Sequence, residues 1–108
     1  MLMIVDIGDK VRASVTFTKA NVDTNPTVVT VKILKGDGTT ELTYSGNIAA
    51  LPAEIVLDAV GQLHHDVSID DVPGVWTVRW FATGNVEAAT ELTFTARDSA
   101  FGSPLSTT

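Results

Sequence analysis

The chain contains no cysteine, so neither a disulfide framework nor a thiolate metal site is open to it, and packing alone must hold its fold together. Basic residues are scarce. Lys10, Arg12, Lys19, Lys32, Lys35, Arg79 and Arg97 stand against 13 acids, leave a formal charge of -6, and are scattered along the sequence. With no basic patch to release counterions, neither a nucleic acid nor an anionic membrane is an expected partner, and a protein is. Long apolar runs are missing as well. Met1 to Val5 is apolar but breaks at Asp6 and has no positive region before it, well short of a signal-peptide core or a membrane span. Synthesis in the cytoplasm is therefore expected. There is no glycosylation acceptor either, because Asn25 is followed by Pro26, and Asn21, Asn47 and Asn85 lack the hydroxyl residue two places on.

What is present points to sheet. A length of 108 residues suits one core and is too short for two. An apolar fraction of 44% is that of an ordinary globular domain, and the abundance of Thr and Val favours pleated structure over helix. From Val11 to Thr18 apolar and polar residues alternate strictly, with Val11, Ala13, Val15 and Phe17 on one side. Lys19 to Pro26 carries Asn21, Asp23, Asn25 and Pro26 and reads as a corner. Thr27 to Leu34 then places Val29, Val31 and Ile33 on one face. Lys35-Gly36-Asp37-Gly38 leads on to Thr39–Tyr44 as a hairpin.

Asn47 to Val60 fits two patterns: Ile48, Leu51, Ile55 and Ala59 could line a helix, while Pro52 and the β-branched pair Ile55-Val56 favour a short strand near Glu54–Asp58, the reading adopted. Gln62 to Asp70 alternates with Leu63, His65, Val67 and Ile69 inward and His64, Asp66, Ser68 and Asp70 outward. After a turn at Pro73-Gly74, Trp76, Val78 and Trp80 share a face opposite Thr77, Arg79 and Phe81. The last strand, Val86 to Ala96, turns Val86, Ala88, Leu92 and Phe94 inward. About seven strands at close spacing describe an all-β sandwich with no disulfide. Its predicted division is an apolar N-terminal arm over residues 1–5, the sandwich over 6–97, and a polar tail over 98–108.

Each polar constellation has a structural reading beside a chemical one. His64 and His65 are adjacent in a strand and so point to opposite faces, which suits one packed and one exposed histidine better than a shared metal ion. Asn21, Asp23 and Asn25 imitate the start of a calcium loop, but Pro26 takes the place of its glycine and Lys32 that of its terminal Glu. Asp70 and Asp71 precede Pro73-Gly74 and read as solvated turn residues rather than an acid-base pair. Gly36-Asp37-Gly38 lacks the third glycine of a dinucleotide loop, and no Gly-x-Ser-x-Gly elbow occurs. No catalytic, metal-binding or cofactor-binding residue is assigned, no cofactor is expected, and an enzyme is not. Trp76 and Trp80 could form a carbohydrate platform, but sharing parity with Val78 they read as core. Phe81, on the opposite face, and Met1, Leu2, Met3, Ile4 and Val5 are harder to bury within so small a domain. With Phe101 and Leu105, the large apolar residues of the otherwise small and polar tail, they are the interface candidates.

The order of these features resembles a family of small immunoglobulin-like proteins encoded among the virion structural genes of tailed bacteriophages and prophages. The matching residues are Asp6-Ile7-Gly8-Asp9 before the strand Val11–Phe17, the Val29-Val31-Ile33 strand, Asp37-Gly38 and Gly61–Asp66. The most specific match is Pro73-Gly74-Val75-Trp76-Thr77-Val78-Arg79-Trp80, followed by Thr83-Gly84 and a strand ending near Phe94. The likeness covers roughly residues 6–97; Leu63 stands where the family usually has Tyr, and 47–60 has no clear counterpart. It implies an immunoglobulin-like sandwich and a non-enzymatic place in the virion, made in the host bacterial cytoplasm. The leading expectation is a capsid decoration protein on the head shell, with a major capsid protein or neighbouring copies as partners. A neck or tail component of the same fold is one alternative, and a carbohydrate-binding module using the two indoles is another, from a different class.

Overall fold

Alternating sequences become alternating faces. The computed structural model describes residues 3–70 and 72–97. These form β1 (Met3–Asp6), β2 (Lys10–Thr16), β3 (Thr18–Lys19), β4 (Val22–Asp23), β5 (Val28–Leu34), β6 (Glu41–Asn47), β7 (Val56–Ala59), β8 (Gln62–Ser68), β9 (Gly74–Thr83) and β10 (Ala88–Arg97). One sheet has the order β1-β10-β9-β5-β6, a second the order β2-β8-β7, and β3 and β4 form a small hairpin of their own. β1 runs parallel to β10, and the other neighbours are antiparallel. The chain is an all-β sandwich with the immunoglobulin distribution of strands between two sheets.

The core lies between the sheets. Trp76, Val78 and Trp80 of β9 and Val29, Val31 and Ile33 of β5 are fully covered, in one core with Ala13, Val15, Leu63 and Val67 from the second sheet and Phe17 just beyond the end of β2. Each fully buried aliphatic side chain contributes about 1.5–3 kcal/mol, without a disulfide to assist. Trp76 stacks on Phe94 with ring centroids 6.0 Å apart, and its Nε1–H donates to the Val72 carbonyl at 2.9 Å. Leu92, read as a core residue, is only half-buried: its row partner Val78 is covered, but among the described residues β1 pairs with β10 only from Phe94 onward, which leaves Leu92 on an open edge.

Two turns need glycine for close approach. A Cβ on Gly36 would stand 2.2 Å from the Pro73 carbonyl oxygen, and Gly74, at φ 117°, faces Gly36 in return. The β5–β6 hairpin and the start of β9 are thereby backbone against backbone. Within that hairpin Asp37 accepts hydrogen bonds from the amides of Thr39 and Thr40 at 2.9 and 2.8 Å and from the Thr40 hydroxyl at 2.5 Å.

Several expectations are corrected. The count of about seven strands omitted β1 and the β3–β4 hairpin. The boundary between arm and domain falls inside β1: Met3, Ile4 and Val5 are strand residues, paired with Phe94, Thr95 and Ala96. The strand placed near Glu54–Asp58 lies at Val56–Ala59, because Ile55 still closes a turn through its amide to the Pro52 carbonyl. In the corner at Lys19–Pro26, Lys19 pairs with Val22 around Ala20 and Asn21, both at positive φ (53° and 66°), the geometry of a two-residue hairpin turn.

Candidate functional site

The outer face of the five-stranded sheet carries Ile4 and Phe81, two of the three interface candidates whose side chains are described. Side chains directly opposite one another share a face, so the register assembles it row by row. Ile4, Thr95 and Val75 form one row, and Thr93, Thr77 and Leu34 the next. Glu91, Arg79 and Lys32 form a third, followed by Ala89, Phe81 and Thr30. Ile4 is 54% exposed and Val75 is 56% exposed, side by side across Thr95. Phe81 is half-buried, with the Lys32 ammonium 5.8 Å from its ring centroid. Between the apolar ends runs a charged belt: Arg79 bonds Glu91 at 3.2 Å and Lys32 lies 3.9 Å from Glu41. These residues with Leu34 and Thr77 line a shallow groove of about 160 Å3.

Val5 turns the other way and packs against the core. The side chain of Met3 and the whole of Met1, Leu2, Phe101 and Leu105 lie outside the described residues. The structure therefore brings Ile4 and Phe81 to one face, separated by the charged belt. Val75 was missed because it follows Pro73-Gly74 and reads as part of a turn; its parity, opposite to Trp76, was the available signal.

The polar constellations resolve into structural roles. His64 and His65 point to opposite faces as expected, yet both are buried, at 7% and 8% exposure. His65 Nδ1–H donates to the Glu54 carbonyl at 2.8 Å, and its ring sits 5.2 Å from that of Tyr44. His64, expected outside, is held against the sheet by Asp58 of β7, whose carboxylate accepts from Nδ1 at 2.7 and 2.9 Å. On the outer face of the second sheet Arg12 grips Asp66 through two nitrogens at 3.0 and 3.3 Å. Hydrogen bonding to Asp66 raises the Arg12 pKa, and the same bond lowers that of Asp66. At the tip of the β5–β6 hairpin, hydrogen bonds from the Thr40 hydroxyl first, then from the backbone of Thr40 and Thr39, hold Asp37 down to about 2.

A cleft of about 300 Å3 opens between the sheets, lined by Ile33, Leu42, Tyr44, Glu54, His65 and Trp76 among others. Lys35, which pairs with Asp70 and lies 5.7 Å from the Trp76 ring centroid, also lines it. Among the described residues no three His, Asp or Glu side chains stand together as a metal site, and no helix is long and apolar enough to cross a membrane. Trp76 and Trp80 are both fully buried and offer no platform to a sugar. Comparison with protein-family models and with curated proteins gives no match.

Proposed function

We propose that this chain is a non-enzymatic structural protein of a tailed-phage virion, a capsid decoration protein that binds the head shell through the outer face of its five-stranded sheet. The observation that carries this reading is that face itself: exposed apolar residues, Ile4 and Val75, beside an internally neutralised belt of Arg79, Glu91, Lys32 and Glu41. Exposed β-branched side chains next to satisfied charges suit a protein partner, which can cover the former without stripping unpaired ions of water. The sandwich and its Trp-bearing β9 agree with the resemblance to phage immunoglobulin-like proteins, and the acidic balance agrees with a partner other than DNA. Fold alone does not carry function, so the virion assignment rests on the resemblance and the face together.

The test is mass spectrometry of particles purified from an induced culture of the source bacterium, with heads and tails separated on a density gradient. The chain is expected in the head fraction, and Val75→Glu should remove it while leaving the soluble protein folded. Recovery with tails supports a neck or tail component instead, and absence from every particle fraction rejects the reading.

A further inference from the structure

The five strand edges of the two sheets are not equally guarded. Natural sheets protect a free edge with short strands, bulges, charged residues or a covering loop, because its unpaired amides and carbonyls otherwise accept another strand. β1 and β7 are four residues each, and β7 is bulged between Leu57 and Ala59. β2 carries Lys10 and Arg12 on its outer face. β6 is flanked by the 48–55 segment, whose Pro52 and Ala50 press on Gly46 and whose Ile48 amide bonds the Thr27 carbonyl.

β10 has none of these devices in its first half. β1 pairs with it only from Phe94 onward, so among the described residues nothing pairs with the outer edge of Ala88–Thr93. Ala88 and Thr90 share the inward face with Leu92, yet both are exposed. That half contains no Lys, Arg or Pro, and its one charge, Glu91, is tied to Arg79. A second observation lies one strand in. Trp80, directly across from Thr90, has its Nε1–H fully buried without an acceptor, the one such side-chain atom among the described residues. Buried donors in native proteins are almost always paired, so this unpaired indole N–H, across from Thr90 of the open edge, is a reporter of any change there.

We propose that Ala88–Thr93 is a strand-accepting edge, taken up by an extended segment of a partner protein that alternates apolar residues inward with basic residues outward. It rests on the reading of the chain as a protein-binding component. Backbone pairing would come from the edge, and small apolar side chains would close over Thr90 and Leu92 towards Trp80. The basic residues answer the exposed Glu87 beside the edge and a chain whose net charge of -6 disfavours a second copy of itself.

The test uses the full chain, labelled for NMR, and a capped eight-residue peptide of alternating Val and Lys, with a Val/Glu peptide as control. Saturable shifts are expected at Ala88–Thr93 and at the Trp80 indole N–H, with edge amides exchanging at least about tenfold more slowly in the presence of the Val/Lys peptide. Thr90→Lys, at an exposed inward position, should abolish binding without unfolding the domain, and Ala88→Lys is the second variant should the first not fold. Shifts confined to β2, β6 or β7, equal binding of the Val/Glu peptide, no binding by either, or full binding by the folded Lys variants would overturn the proposal. Particle association without peptide binding would refute the edge and leave the virion reading intact; peptide binding by a chain absent from particles would do the reverse.

Discussion

In β9 every second side chain from Trp76 to Ala82 is buried, whereas every residue of β7 is exposed. Both are strands with regular partners, but β9 has a neighbour on each side and a second sheet over it, while β7 hangs from β8 alone. The difference teaches where the period of two comes from. Pairing of backbones makes a strand; covering one of its faces is what makes the sequence alternate.

That comparison can be broken by substitution. Trp76→Ala should cost about 3–5 kcal/mol in urea unfolding, since it removes a fully buried indole from its stack on Phe94, and a loss under 1 kcal/mol would mean the centre of the large sheet is not the core. Ala20→Gly should move the other way and stabilise by about 1 kcal/mol, because Ala20 sits at φ 53° where an L side chain crowds its own carbonyl. Leu57→Ala on the exposed β7 should change stability by no more than about 0.5 kcal/mol in the same titration. A loss approaching that of Trp76→Ala would show that β7 is covered in solution and the contrast with β9 is false.

The smallest effect concerns the β5–β6 tip. Asp37 titrates at about 2 in the folded chain against an ordinary 3.8, so its hydrogen bonds favour the folded state above the higher value and cease to do so as pH falls through the lower. The stability difference between the wild type and Asp37→Asn should therefore be constant above about pH 5 and shrink towards pH 2. A difference that is flat down to pH 2 would show that the turn does not hold the carboxylate.

Legibility followed the same physics. Val11 to Phe17, Val29 to Ile33 and Trp76 to Trp80 were readable because one face of each is covered, and the buried sets are those their parity assigns except for Thr30, buried on the opposite face of β5 at 8% exposure beside Ser45. β1 was not readable: four residues with no polar position before Asp6 cannot distinguish a free arm from a strand whose partner lies some 90 residues away. In the 47–60 stretch the short strand was read but placed about two residues early, because the strand is exposed on both faces and the one buried apolar side chain, Ile55, belongs to a turn. The burial of His64 depends on Asp58 across a bulge, a register detail no periodicity encodes. Of the candidate face, Phe81 was found by parity and Ile4 by hydropathy; their common sheet follows only from the parallel pairing of β1 with β10.

That pairing also decides how the domain would carry tension. Met3 aligns with Phe94 and Asp6 with Arg97, in parallel, and the last pair is further clamped by an ion pair at 3.1 Å. A pull entering ahead of Met3 and leaving beyond Arg97 draws the two strands along their common axis in opposite directions. Every bond of the ladder is then loaded at once, in shear, instead of one after another as when a hairpin is peeled from its tip. A domain pulled this way resists up to the rupture of the whole ladder, so the first and last strands act as the mechanical lock on everything folded between them.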